Sequence, residues 1–285
     1  MASKRRRFAL SAAVAVTAAL LAAPPASATE DAGDRYVALG DSFTSGPLIP
    51  NQVSLPCLRS DHNYPSLVAA ELDPAEFVDV SCGGATTRDL TGRQFGFVPP
   101  QYDALTEDTD LVTMGMGGND VGFGEIVVTC SLLAVTDPHG APCEKHYTAG
   151  GTDQLRERFE EFAPKLGDAI DGIRERAPKA RIVLVGYPAI LPESGGCFPI
   201  VPIAAGDVSY LDGVEQALNE VVADQAASHG AEYVDTFTAS RGHDVCTPPG
   251  TKWVEGLFPT APAAPIHPNL LGMKDSARAV LAHLG

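Results

Sequence analysis

Val37-Ala38-Leu39-Gly40-Asp41-Ser42-Phe43-Thr44-Ser45-Gly46 is a short apolar run that stops at Gly-Asp-Ser and continues into small, turn-forming residues. The pattern is that of a buried strand delivering a serine to the turn beyond its end. A hydroxyl fixed at the rim of a sheet can attack a substrate when a base and an oxyanion site lie nearby. Gly-Asp-Ser is also what an ordinary strand-to-helix turn looks like when its Ser only caps the next helix. The two readings separate on whether the remaining chain supplies the base and the oxyanion donors.

Moving outward from that stretch, short apolar runs recur at residues 36–39, 77–80, 111–114, 182–185 and 233–234, each bounded by Gly, Asp, Ser or Pro. Between them, Leu155, Phe159, Phe162, Leu166, Ile170 and Ile173 keep a helical three-or-four spacing, as do Val208, Leu211, Val214, Leu218 and Val221. Pro164 is the expected kink in the first of these helices. Short buried strands alternating with helices predict an α/β fold with a mostly parallel, five-stranded sheet. A last helix is expected just after His267, with Pro268 in its first turn and Leu271, Ala277, Val280 and Leu281 on its buried face. The Gly- and Pro-rich stretches 47–56, 130–151, 191–206 and 242–265 read as irregular loops.

The N-terminus reads as a secretory leader. Lys4-Arg5-Arg6-Arg7 is followed by an apolar run over 8–23 and by the small-residue pattern Ala26-Ser27-Ala28, which predicts cleavage between Ala28 and Thr29 and an extracellular chain. The apolar run is short for a bilayer span and no later stretch is long enough, so no membrane anchor is expected. Residues 29–285 suit one domain. The leader carries four of the 20 basic residues and none of the 36 acidic ones, leaving a net charge of −20 that repels phosphate backbones and excludes nucleic acid as a partner. Cys57, Cys82, Cys130, Cys143, Cys197 and Cys246 are even in number in an exported chain, so disulfides are expected, with fifteen pairings open. The short interval from Cys130 to Cys143 suggests a local clamp. No Cys-x-x-Cys or zinc-finger spacing occurs, and neither a metal nor a cofactor is expected.

Cys82-Gly83-Gly84-Ala85-Thr86-Thr87 follows the second expected strand and Gly115-Met116-Gly117-Gly118-Asn119-Asp120 the third. In an open parallel sheet the loops beyond the strand C-termini share one edge, so Ser42, Gly84 and Asn119 can converge there. The backbone N–H groups of Ser42 and Gly84 and the Asn119 amide would then give three donors for a tetrahedral oxyanion. Taken singly, the glycines are ordinary turn residues and Asn119 an ordinary cap. Asp41 and Asp120 read as backbone-bonding turn residues.

Gly40-Asp41-Ser42, Gly84, Gly117-Gly118-Asn119-Asp120 and His267 resemble, in order and spacing, the four blocks of the SGNH hydrolase superfamily, the GDSL lipases and esterases. The resemblance spans residues 29–285 and is strongest to the secreted actinobacterial branch with six cysteines. It implies a three-layer, flavodoxin-like fold, Ser42 as nucleophile, His267 as general base, and Ser42, Gly84 and Asn119 as the oxyanion hole. It also implies the sequential disulfides Cys57 with Cys82, Cys130 with Cys143, and Cys197 with Cys246. Most members of the superfamily carry an Asp three residues before the histidine; here that position is Ala264. The resemblance therefore implies a Ser-His dyad in which the main-chain carbonyl of Ala264 orients the imidazole, with a distant acid such as Asp244 as the alternative. His243 is the rival base, set aside because neighbouring Cys246 suggests a tethered turn.

The expected reaction is hydrolysis of fatty-acyl esters through an acyl-enzyme, with a triacylglycerol lipase as the leading specific activity and a lipid or fatty-acyl ester as the only partner of a monomer. Phospholipase A-type or carbohydrate acetylesterase activity are the enzymatic alternatives, and a degenerate scaffold that only binds is the non-enzymatic one. The loops 47–50, 95–98 and 198–203 are apolar enough to line an acyl groove.

Overall fold

The sheet begins with β1 (Arg35–Gly40), whose Tyr36, Val37, Ala38 and Leu39 have no solvent exposure. Apolar residues in unbroken succession are what a strand covered on both faces requires. The computed structural model describes residues 35–285; the leader expected over 1–28 and its cleavage point lie outside the described residues. A two-stranded antiparallel ribbon follows, β2 (Gln52–Ser54) with β3 (Arg59–Ser60), and then β4 (Glu76–Asp79), β5 (Leu111–Gly115), β6 (Arg181–Val185) and β7 (Glu232–Val234). The five main strands run in the order β4-β1-β5-β6-β7, every pairing parallel, with Val37 opposite Val112 and Ala38 opposite Asp79. This is the doubly wound order whose direction reverses beside β1, where loops from neighbouring strands part and leave a crevice.

Alternate residues of each strand face opposite layers. Val37, Leu39, Val112, Met114, Ile182 and Leu184 join one core cluster with α5 (Gln154–Arg176) and α6 (Val208–Ser228). Tyr36, Ala38, Leu111, Val183 and Val185 join the other, with α2 (Tyr64–Leu72) and α8 (Leu270–Leu284). Three layers result, as expected, with α1 (Ser42–Ser45) and α7 (Phe237–Ser240) as single turns after β1 and β7.

Three local expectations are corrected. The stretch 47–56 is not wholly irregular, since it holds β2. The stretch 130–151 is not one irregular loop: it holds the end of α3 (Phe123–Ala134) and all of α4 (Pro142–Thr148), joined by Cys130–Cys143. The last helix starts at Leu270, because Asn269 is the better cap; its side chain accepts from Leu271 and Gly272 N–H, and Pro268 stands before it rather than in the first turn. That register leaves Leu271 39% exposed and gives its buried place to Met273. Pro164 lies inside α5 as expected. Among the described residues no helix is long and apolar enough to cross a membrane.

Candidate active site

The Gly40-Asp41-Ser42 block is held from three sides. Gly40 has φ +150°, and a Cβ there would stand 2.3 Å from Thr44 Oγ1 and 2.8 Å from the Gly115 carbonyl, so only glycine lets the chain turn this tightly. The buried Gln101 amide grips both polar groups of Gly40, its Oε1 accepting from the N–H at 2.8 Å and its Nε2 donating to the carbonyl at 2.9 Å. Asp41 N–H donates to Gly115 O across the sheet, and its carboxylate caps α1 by accepting from Phe43 N–H at 2.8 Å. The second carboxylate oxygen accepts from the Tyr187 hydroxyl at 2.6 Å, and that hydroxyl accepts from Gly118 N–H at 2.8 Å. Burial pushes the Asp41 carboxyl up to about 7, against the opposing pull of the bonds from Tyr187 and Phe43.

His267 lies 225 residues away in sequence, with its Nε2 2.8 Å from Ser42 Oγ. Its Nδ1 lies 2.7 Å from a main-chain carbonyl, that of Pro265 and not of Ala264. The correction has a conformational cause. Ile266 has φ +58°, a left-handed conformation unusual for a β-branched residue, and it folds the chain back so that the carbonyl two residues before the histidine meets its ring. Such strain costs about 1–3 kcal/mol. Ile266 is buried, and burying a side chain of its size contributes about 1.5–3 kcal/mol, enough to offset the strain. Ala264 N–H donates instead to Pro47 O, which ties this turn to the loop after Ser42.

With a carbonyl on Nδ1 the hydrogen sits on that nitrogen, and Nε2 is left as the acceptor toward Ser42. Phe43 lies 4.9 Å from the imidazole, centroid to centroid, and Phe123 stands edge-on to it at 6.4 Å. Burial among these rings lowers the His267 pKa, and the Pro265 carbonyl only partly restores it. Asp244 takes no part: its carboxylate accepts from Cys246 N–H in its own turn. His243 stacks on Trp253 at 3.8 Å with its Nδ1 on Thr251 O, away from Ser42.

Gly84 and Asn119 come to the same edge. Gly84 has φ +78°, suited to glycine, and neither its N–H nor that of Ser42 has an acceptor among the described residues. The Asn119 amide donates one hydrogen to Ala85 O at 2.9 Å, which aims the side chain and leaves its second hydrogen free. Asp120 accepts from Thr87 N–H and Oγ1 and locks the two loops together. The disulfide Cys57–Cys82, with a Gly83 N–H to Cys57 O bond of 2.8 Å, braces the Gly84 turn from behind. Cys130–Cys143 and Cys197–Cys246 complete the sequential pairing.

Sequence reasoning missed Gln101, Tyr187 and Glu255. Glu255 is fully buried behind His267; its N–H donates to His267 O, and its carboxylate accepts from Asn269 Nδ2 at 2.7 Å and from Thr260 N–H at 2.7 Å. Although burial pushes the Glu255 carboxyl up, those bonds hold it below its usual range. The sequence signal for these residues was faint: each is a single polar side chain outside any motif, bonded to backbone or side-chain groups that local pattern does not connect with it. Among the described residues no group of three or more His, Cys, Asp or Glu side chains is placed to hold a metal ion.

Beside Ser42 opens an apolar hollow that starts at Phe43, Gly118 and Ile266 and runs between α3, α6 and the 201–203 segment. The loop 198–203 lines it in part, as expected; 47–50 and 95–98 are not among its lining residues.

The chain has relatives among known proteins. The chain is 40% identical to Lipase 2 of Streptomyces coelicolor over 96% of this chain and 92% of that protein. Its fold superposes on the extracellular lipase of Streptomyces rimosus with a TM-score of 0.74, at 29% identity over 88% of this chain and 99% of the other. Phospholipase A1 of Streptomyces albidoflavus gives 0.73, at 30% identity over 88% and 99%. The model of the GDSL-like lipase/acylhydrolase family matches residues 38–274, which takes in every residue gathered around Ser42, and the chain belongs to that family.

Proposed function

We propose that this chain is a secreted serine carboxylester hydrolase that acts on fatty-acyl esters through a Ser42–His267 dyad. The observation that carries the reading is the Ser42 Oγ–His267 Nε2 contact of 2.8 Å, with Nδ1 held at 2.7 Å by Pro265 O. His267 takes the Ser42 proton as Oγ bonds to the ester carbonyl carbon. The resulting oxyanion rests against the N–H groups of Ser42 and Gly84 and the free hydrogen of the Asn119 amide. Collapse of the tetrahedral centre breaks the bond to the alcohol, which leaves with the proton from His267. Water, deprotonated by the same imidazole, then attacks the acyl-serine and frees the acid and Ser42.

The apolar hollow supports long acyl chains over acetyl groups, since a methyl would leave most of its lining unfilled. Triacylglycerol is the leading substrate class. The phospholipase A1 likeness favours phospholipid as the second reading. The same proposal has one domain over 29–285, released by cleavage between Ala28 and Thr29 and working as a monomer. N-terminal sequencing and light scattering of the secreted protein check these points.

A fluorophosphonate should label wild-type Ser42, and Ser42→Ala should lose both label and ester turnover, the latter on the order of 10⁶-fold. A folded Ser42→Ala protein with wild-type turnover, or a Ser42 that resists the label as a binding-only scaffold would, sinks the proposal.

A further inference from the structure

The hollow beside Ser42 is not apolar throughout. Ser131, Tyr187 and Glu215 are its polar lining side chains, set among residues such as Leu211, Val214 and Leu218 of α6. The Tyr187 hydroxyl is already committed to Asp41 and Gly118. Glu215 is different. Its Oε2 accepts from Ile190 N–H at 3.0 Å, while its Oε1 is shut away from solvent and has no hydrogen-bond partner.

One turn further along α6, Asn219 does a similar job completely. Its Oδ1 accepts from Tyr187 N–H at 2.8 Å and its Nδ2 donates to Tyr187 O at 3.1 Å, so both ends of the amide are used on the segment that follows β6. Glu215 reaches the same segment with one oxygen only. Nor does a cation claim the other: Arg241 is held by Asp212 through two bonds, of 2.5 and 3.0 Å. A buried carboxylate without a counter-charge is unstable. Accordingly, burial pushes the Glu215 carboxyl up to about 8; the Ile190 N–H and Arg241 oppose the shift and Asp212 adds to it. At neutral pH the group is mostly a neutral carboxyl, able to donate or accept one further bond.

We propose that Glu215 is the hydrogen-bonding anchor for an acyl chain that carries its own hydroxyl, so that the hollow favours hydroxyacyl esters over unsubstituted esters of equal length. The inference rests on the reading that the acyl part of the substrate enters this hollow from Ser42. A chain hydroxyl both donates and accepts, and so pairs with Oε1 wherever the carboxyl proton lies. An unsubstituted chain leaves that oxygen buried and unpaired, which is the situation in which a pocket discriminates against an analogue lacking the polar group.

The test is a set of p-nitrophenyl esters of dodecanoic acid and of hydroxydodecanoic acids with the hydroxyl moved from C3 to C12, each assayed for kcat/KM. One hydroxyl position should exceed the unsubstituted ester by about tenfold in the wild type. Glu215→Gln should keep that ratio, because its carbonyl still accepts from Ile190 N–H and its amide still donates. Glu215→Met should bring the ratio to about one. A flat wild-type profile, or a preference that survives in Glu215→Met, overturns the anchor and leaves Glu215 paired with a bridging water only. A flat wild-type profile overturns the anchor without any variant, and if Glu215→Met fails to fold, Glu215→Leu is read in its place with the same two outcomes. Turnover of dodecanoate with a flat hydroxyl profile overturns the anchor alone; failure to turn over any ester, with Ser42 unlabelled, overturns the hydrolase reading as well.

Discussion

Ser42 and His267 meet across 2.8 Å, yet the two sides of that contact are built by opposite means. The serine side stands at the C-terminal end of β1, with β4 and β5 on its flanks and three buried side chains, Gln101, Asp41 and Tyr187, bonded to the turn or to its neighbours. The histidine side sits in a run without helix or main strand between α7 and α8. It is held by a turn at Ile266, an isolated bridge from Val254 to Pro268, and the Glu255–Asn269 bond beneath. Side chains chiefly position Ser42; main chain chiefly positions His267. A sheet edge brings backbone groups of several strands together for side chains to grip, whereas a loop has chiefly its own carbonyls to offer.

Removing His267, the proposed base, should have the largest effect. His267→Ala is expected to lower kcat on the order of 10⁶-fold, comparable to loss of the nucleophile, since the two act as one unit. Single-turnover kinetics that still show fast acylation would break the pairing of the two sides. Next comes Asn119, the proposed oxyanion donor at the sheet edge. Asn119→Ala should lower kcat by a few hundredfold, about 3 kcal/mol, with little change in KM. A rise in KM at constant kcat would instead assign Asn119 to substrate binding.

Tyr187→Phe probes the serine side alone. It removes the hydroxyl shared by Asp41 and Gly118 and should cost about tenfold in kcat, with a matching fall in the rate of fluorophosphonate labelling. An unchanged labelling rate would mean that the remaining clamps already fix Ser42.

The smallest effect belongs to the histidine side. His267 must be neutral to accept the serine proton, and burial lowers its pKa, so the acid limb of kcat/KM should lie below the ordinary imidazole value of about 6.5. Ala264→Asp offers a carboxylate near that ring. Because an anion favours the imidazolium, the limb should move toward higher pH, while kcat on the plateau changes by less than about threefold. A limb that stays in place would show that Pro265 O keeps the ring to itself.

The difference between the two sides also explains what the sequence revealed. The five strands and the positions of Ser42, Gly84, Asn119 and His267 were legible because each depends on local signals: an apolar run, a glycine, a block at a strand end. The carbonyl at Pro265 was not, since its place follows from the left-handed backbone at Ile266, which the side-chain pattern does not announce. Tyr187 and Gln101 were hidden for another reason; their partners lie 146 and 61 residues away. Glu215 was overlooked among the apolar positions of α6, where periodicity picks out the residues around it.

The carbonyl at Pro265 bears on how this site can drift. A carboxylate that orients a catalytic histidine is lost with a single codon change, but every residue brings a main-chain oxygen, so no substitution at position 265 deletes the acceptor itself. The exposure to inherited damage moves instead to position 266, where what must persist is a backbone shape together with a side chain that fills the floor beneath it. Lineages carrying this arrangement should tolerate variety at 264 and 265 and accept very little at 266.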